Sequence, residues 1–262
     1  MEYFGFCKGI SQMNMPDTIY SDMYEGYYAK FYDSLVKNDD FDIDFYQELS
    51  EEYGKEVLEL ACGSGRVLIP LLKRGLQIHG VDLSTHMIDI LKAKCKKKNL
   101  TPEIYFGDMC TFKCNKKFDM VILSHISISL LESHQQRVQL FNNVYKFLLK
   151  EGGIFVFNFV DYSKKMHSSG ELKPNYYFNP SKKAYTILFE KVDLELQKVF
   201  VNLYSEEVDS TGGIKRFVGS SCKNIITKES IDEILTDIGF TVVKEKNIST
   251  QEGLIKFYVL KK

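Results

Sequence analysis

Two periodicities of apolar and polar residues alternate along the first 160 positions. Glu56-Val57-Leu58-Glu59-Leu60-Ala61 is a short apolar run that stops at Gly63 and Gly65, which predicts a buried strand. Val67, Leu68, Leu71 and Leu72 then fall at helical spacing, and Gly75 closes that helix. Residues 78–83 predict the next strand, and Ser84 is a suitable N-cap for a helix carrying Met87, Ile88 and Leu91. The basic run 92–98 that ends this helix suits the negative end of a helix dipole. Three further strands are expected at 104–107, 118–124 and 153–159, with an amphipathic helix over 135–150 between the last two.

Beyond residue 160 the pattern changes. Residues 185–191, 196–206 and 214–226 are strand-like runs without helices between them, and Asp209-Ser210-Thr211-Gly212-Gly213 is a turn signal separating the last two. Thr227 then caps a helix with Ile231, Ile234, Leu235 and Ile238, which Gly239 stops, and 240–244 and 254–260 supply two edge strands. Strands alternating with helices predict an α/β fold: a Rossmann-like, doubly wound seven-stranded sheet with a helical N-terminal lid and a small antiparallel β insertion. The expected organisation is one domain. Residues 1–53 form the lid, 54–160 the core, 161–226 the insertion that caps the substrate, and 227–262 the last helix and two strands.

Composition narrows the function. The 262 residues are 44% hydrophobic and 26% charged, as in ordinary soluble proteins. With 34 Lys and Arg against 35 Asp and Glu, the formal net charge of −1 leaves no general footprint for nucleic acid or an anionic membrane. The longest apolar stretch, 154–160, is broken by Asn158 and is too short to cross a bilayer. The first residues lack the pattern of a secretory signal, and six scattered cysteines do not form a disulfide framework, so a cytoplasmic monomer or homodimer is expected. Cys110 and Cys114 have no second pair nearby, and His79, His86, His134 and His167 fall at no ligand spacing, so no metal is expected.

The chemistry concentrates in Glu59-Leu60-Ala61-Cys62-Gly63-Ser64-Gly65-Arg66. A strand that stops at closely spaced glycines lets a ligand approach the backbone at the carboxyl end of a sheet. The third glycine of a dinucleotide fingerprint is missing. Asp82 ends the second strand, where a carboxylate can accept both hydroxyls of a ribose, and Asp108 ends the third. Carboxylates at three successive strand tips disfavour a pyrophosphate and suit an adenosine that bears a cation.

These segments, with Gly80-Val81-Asp82-Leu83-Ser84, Met87, Gly107-Asp108-Met109, Phe118-Asp119-Met120-Val121-Ile122 and Gly152-Gly153, resemble the class I S-adenosylmethionine-dependent methyltransferases over about residues 28–160. The late insertion with Arg216-Phe217 looks like that of small-molecule N-methyltransferases of the aminosugar and glycine type. The resemblance implies that Glu59 and the backbone from Ala61 through Gly63 to Gly65 line the methionine part of S-adenosylmethionine, which leaves as S-adenosylhomocysteine. Asp82 would hold the ribose, Leu83 and Met87 the adenine, Asp108 the adenine amino group, and Met109 the ring face. Ser124 and His125 would face the sulfonium, and Arg66 would hold the cofactor carboxylate or form a surface salt bridge. Tyr28-Ala29-Lys30-Phe31-Tyr32-Asp33 resembles the family's entry motif, which places Tyr28 and Tyr32 in a lid that also packs on the core.

His125 is the candidate base, and Asp161 the candidate holder of the acceptor; the ordinary alternatives are a satisfied strand-end histidine and a loop cap. Val36 and Leu130 stand where the aminosugar enzymes carry tyrosine and histidine, so a sugar acceptor is not implied. Ser124-His125-Ile126-Ser127 replaces the motif of enzymes that methylate base amines, which argues against nucleic acid. The expected activity is methyl transfer to a small-molecule or peptide amine, nitrogen rather than oxygen or carbon. The alternatives are a non-catalytic cofactor-binding module and an NAD(P)-dependent oxidoreductase, the latter disfavoured by the missing glycine and by Asp108.

Overall fold

A computed structural model describes residues 2–162, 173–250 and 253–262, so His167 lies outside the described residues. In chain order the elements are α1 (Gly5–Met13), β1 (Thr18–Asp22), α2 (Gly26–Leu35), α3 (Ile43–Tyr53), β2 (Glu56–Leu60), α4 (Leu68–Lys73), β3 (Gln77–Asp82), α5 (Thr85–Lys97) and β4 (Ile104–Phe106). They continue with β5 (Phe118–Leu123), α6 (His134–Asn143), β6 (Leu149–Val160), β7 (Lys173–Asn179), β8 (Ala184–Asp193), β9 (Lys198–Val208), β10 (Ile214–Asn224), α7 (Lys228–Ile238), β11 (Thr241–Thr250) and β12 (Gly253–Lys261). Contacts divide the chain into two compact units, Met1–Tyr32 with Met166–Ile225 and Asp33–Lys165 with Ile226–Lys262.

The second unit holds a seven-stranded sheet in the order β11-β12-β6-β5-β2-β3-β4. The five strands from β6 to β4 are parallel, while β12 runs antiparallel to β6 and β11 antiparallel to β12. Because β2 pairs with β3 on one side and β5 on the other, the chain reverses its direction of winding between β2 and β5. Ligands of open α/β sheets bind in the crevice outside the strand ends at that switch point.

Strand alternation decides which face each side chain serves. Leu58, Leu60, Val121, Leu123, Phe155 and Phe157 join one buried cluster with Leu140 and Phe141 of α6 and Ile231 and Ile234 of α7. Val57, Met120, Ile122, Val156 and Phe257 join another with Phe45, Tyr46 and Leu49 of α3 and Leu68, Leu71 and Leu91 of α4 and α5. Each such side chain contributes about 1.5–3 kcal/mol by leaving water. Glu59, two residues after Val57, falls on the α3 side by the same alternation. The helix expected over 135–150 is shorter than its pattern: α6 ends at Asn143, Val144–Leu148 form a π turn, and β6 begins directly after it.

The first unit is a five-stranded sheet, β1-β10-β9-β8-β7, antiparallel except for β1, which runs parallel to β10. Strands β1 and β7 have no counterpart in the sequence reading. The segment expected to be wholly helical supplies β1 because Thr18-Ile19-Tyr20 is a β-branched and aromatic run.

Candidate functional site

Five loops meet at the carboxyl ends of β2, β3, β4, β5 and β6. The loop after β2 turns at Ala61, Gly63 and Gly65, with φ of 52°, 52° and 85°. A Cβ at Gly65 would lie 2.3 Å from Leu91 Cδ1, so glycine is required there both for backbone conformation and for the packing of α5. At Gly63 a Cβ would meet nothing within 4 Å, so the space outside this backbone is open to a ligand.

Asp82 ties two loops together. Its Oδ2 accepts from Gly63 N–H at 2.7 Å and its Oδ1 from Ser84 N–H at 2.8 Å, while Ser84 Oγ accepts from Met87 N–H and caps α5. Those two bonds fix the orientation of the Asp82 carboxylate beside the glycine turn. Leu83, next to it, is 62% exposed at the strand tip. Met87 is buried on α5, whose first turn Ser84 caps. Phe106, 63% exposed at the end of β4 and paired in register with Asp82, is the apolar side chain open at this edge that sequence reasoning passed over. Asp108 is exposed, and its Oδ1 accepts from Cys110 N–H at 2.7 Å, which fixes the turn carrying Met109.

Glu59 is the chemically unusual group. It is 1% exposed; Oε1 accepts from Ser124 Oγ at 3.0 Å, and Oε2 makes no hydrogen bond among the described residues. Burial pushes its carboxyl up to about 8, against the lowering effect of Arg66 and the Ser124 hydroxyl. Arg66 does not neutralise it by contact. Its guanidinium forks onto Asp42, with both bonds at 2.7 Å, and NH1 also reaches Asp39 O. Asp42 is fully buried, so Arg66 forms a salt bridge that lies in the interior and not on the surface.

The loop after β5 carries two consecutive left-handed residues, His125 (φ 51°) and Ile126 (φ 63°). Asp161, after β6, pairs with Lys256 at 2.8 Å through Oδ2. An acceptor cation at Asp161 would compete with that lysine. Tyr28 belongs to the other unit: fully buried there, it donates its hydroxyl to Phe217 O at 2.7 Å, and its ring fills the space over Gly219. Tyr32 stacks edge-to-face on Tyr24 in the same unit. Glu59, the 61–65 turn, Asp82, Leu83, Asp108, Met109, Ser124 and His125 are thus gathered at one end of one sheet. No group of three His, Cys, Asp or Glu side chains among the described residues is placed to hold a metal.

The donors and acceptors fit S-adenosylmethionine. An unpaired buried carboxyl oxygen, an open glycine turn and two further carboxylates match a cation, a close backbone approach and ribose and adenine donors. The comparisons with known proteins agree. Residues 57–153 match the family described as methyltransferase domain. A Geobacillus sp. (strain WCH70) protein named as a methyltransferase is 31% identical over 137 residues, covering 50% of this chain and 55% of the relative. A Coxiella burnetii ubiquinone biosynthesis O-methyltransferase is 28% identical over 127 residues, 48% of this chain and 52% of its own. The chain therefore spans about half the length of the curated relatives it matches. The crystal structure of a Clostridium acetobutylicum S-adenosylmethionine-dependent methyltransferase superposes with a TM-score of 0.72 at 22% identity, over 89% of this chain and 97% of that one. A sugar N-methyltransferase from Streptoalloteichus sp. does so with a TM-score of 0.72 at 17% identity, over 93% and 96%. At those identities the likeness shows the fold.

Proposed function

The chain carries a domain of the S-adenosylmethionine-dependent methyltransferase family, and from that premise we propose that it methylates a nitrogen of a small-molecule or peptide amine. The carrying observation is the set of three carboxyl groups, Glu59, Asp82 and Asp108, at the tips of β2, β3 and β4 around an open glycine turn. Bound there, S-adenosylmethionine supplies an electrophilic methyl group on a cationic sulfur. The chain's own part is to bind, orient and screen. Asp82, held beside the glycine turn by Gly63 and Ser84, accepts from ribose hydroxyls, and Leu83 offers an apolar wall to the base. Asp108 accepts from the exocyclic amine, and Met109 covers the ring. Glu59 supplies a buried counter-charge, aimed by Ser124.

A displacement in line with the leaving sulfur gains most from alignment, and a neutral amine needs little more than a group to receive its proton. We assign that role to His125, which follows β5. Nitrogen is supported by the fold shared with the sugar N-methyltransferase; the O-methyltransferase relative supports a second reading, in which His125 must act as a base on a hydroxyl. Incubation with methyl-labelled S-adenosylmethionine and matched panels of amines and alcohols tests this. Label transferred to amines alone supports the proposal, transfer to alcohols alone replaces nitrogen by oxygen, and absence of both with cofactor bound leaves a binding module.

A further inference from the structure

Ile126 poses a problem that the strand and helix pattern does not solve. Non-glycine residues rarely occupy the left-handed region, and a β-branched one there is an outlier. Here two such residues stand in succession, His125 and Ile126, between β5 and the short 3₁₀ helix Ser127–Leu130. Conformations of this kind persist only where the surroundings over-determine them, and they cluster at functional sites.

Asn158 supplies the determinant. It is fully buried in β6 between Phe157 and Phe159, an amide in an otherwise apolar strand interior. Its Oδ1 accepts from Ile126 N–H at 2.7 Å. The donor is a backbone N–H, so the amide oxygen must face it, and the orientation of the side chain follows. Its Nδ2 makes no hydrogen bond among the described residues. A buried amide left half satisfied has no packing advantage over leucine, so the bond to Ile126 is what it contributes.

The consequence runs to Glu59. Ser127 N–H donates to Ser124 O at 3.1 Å and closes the same turn, and Ser124 Oγ donates to Glu59 Oε1. We propose that Asn158 is a positioning residue: by clamping Ile126 in the left-handed region it sets the 124–127 turn and thereby aims Ser124 at Glu59. The inference rests on the reading that this end of the sheet holds the cofactor.

Glycine enters the left-handed region without steric cost, so a chain with glycine at 126 does not need the clamp. The experiment is a cycle of Asn158→Leu, Ile126→Gly and the double variant, read by calorimetric titration with S-adenosylhomocysteine and by thermal midpoint. Asn158→Leu is expected to weaken binding about tenfold, the worth of one buried hydrogen bond. The double variant should bind within about twofold of Ile126→Gly alone although its midpoint is lower, because affinity follows the turn and not global stability. Unchanged affinity in folded Asn158→Leu overturns the proposal. So does a tenfold loss between Ile126→Gly and the double variant, a comparison that serves even if Asn158→Leu alone does not fold. Failure of the unaltered chain to bind S-adenosylhomocysteine would overturn the cofactor reading itself.

Discussion

Replacing Glu59 by glutamine isolates one charge in a buried position that keeps its hydrogen bond from Ser124. With its carboxyl pushed up to about 8, only about one molecule in ten carries the anion at pH 7 in the free chain. A cationic ligand that uses the anion must first drive off that proton, which costs about 1.4 kcal/mol at pH 7 and almost nothing at pH 9. Affinity for S-adenosylmethionine should therefore rise about tenfold from pH 7 to pH 9 in the unaltered chain, relative to Glu59→Gln. Titration of the ligand's own amine is common to both proteins and cancels in that ratio. Stability carries the opposite sign. The folded-state value lies above the ordinary one, so the contribution is fully present below the ordinary carboxylate range and is lost as pH rises through about 8. The midpoint of ligand-free Glu59→Gln should gain on that of the unaltered chain across this window. Calorimetry in a series of buffers and thermal scans read the two effects. Identical pH profiles for the two proteins would refute the argument that Glu59 is a buried acid responding to a cation.

Other substitutions probe the remaining parts. Asp82→Ala should weaken cofactor binding by roughly 1.5–3 kcal/mol in a folded protein, as it removes a charged acceptor for the ribose; unchanged affinity in calorimetry would remove Asp82 from the site. Gly65→Ala should destabilise the chain by about 1–3 kcal/mol in urea denaturation, because the new methyl group meets Leu91 and the backbone is left-handed. Arg66→Met should cost about 3–5 kcal/mol of stability by leaving Asp42 buried and unpaired, while a purely surface pair would cost under about 1 kcal/mol. His125→Asn keeps a residue tolerant of the left-handed backbone; cofactor affinity should stay within about twofold while labelled-methyl turnover falls at least about a hundredfold.

The first three strands of the central sheet were legible because each ends at a chemical punctuation mark. Gly63 and Gly65 follow β2, Asp82 closes β3 with Ser84 just beyond it, and Gly107 precedes Asp108 after β4, so apolar runs and site residues are read from the same letters. The partner of Arg66 was not legible, because Asp42 is 24 residues away at the start of α3 and no local spacing reveals that fork. The burial of Met87 follows from letters the sequence shows: the cap at Ser84 sets the helix phase, and Met87, Ile88 and Leu91 are buried together. The Lys256–Asp161 pair depends on β12 returning antiparallel beside β6, a contact between the second unit's two sequence segments. Asn158 did leave a signal, as the single polar break in 154–160, but its meaning appears only once Ile126 is seen to be left-handed.

The most direct measurement is calorimetric titration of the unaltered chain with S-adenosylmethionine, S-adenosylhomocysteine and NAD(H). Three carboxyl groups at the strand tips and the absent third glycine predict binding of the two sulfur nucleotides and none of NAD(H). Binding of NAD(H) with no response to either sulfur nucleotide would contradict the assignment of this site.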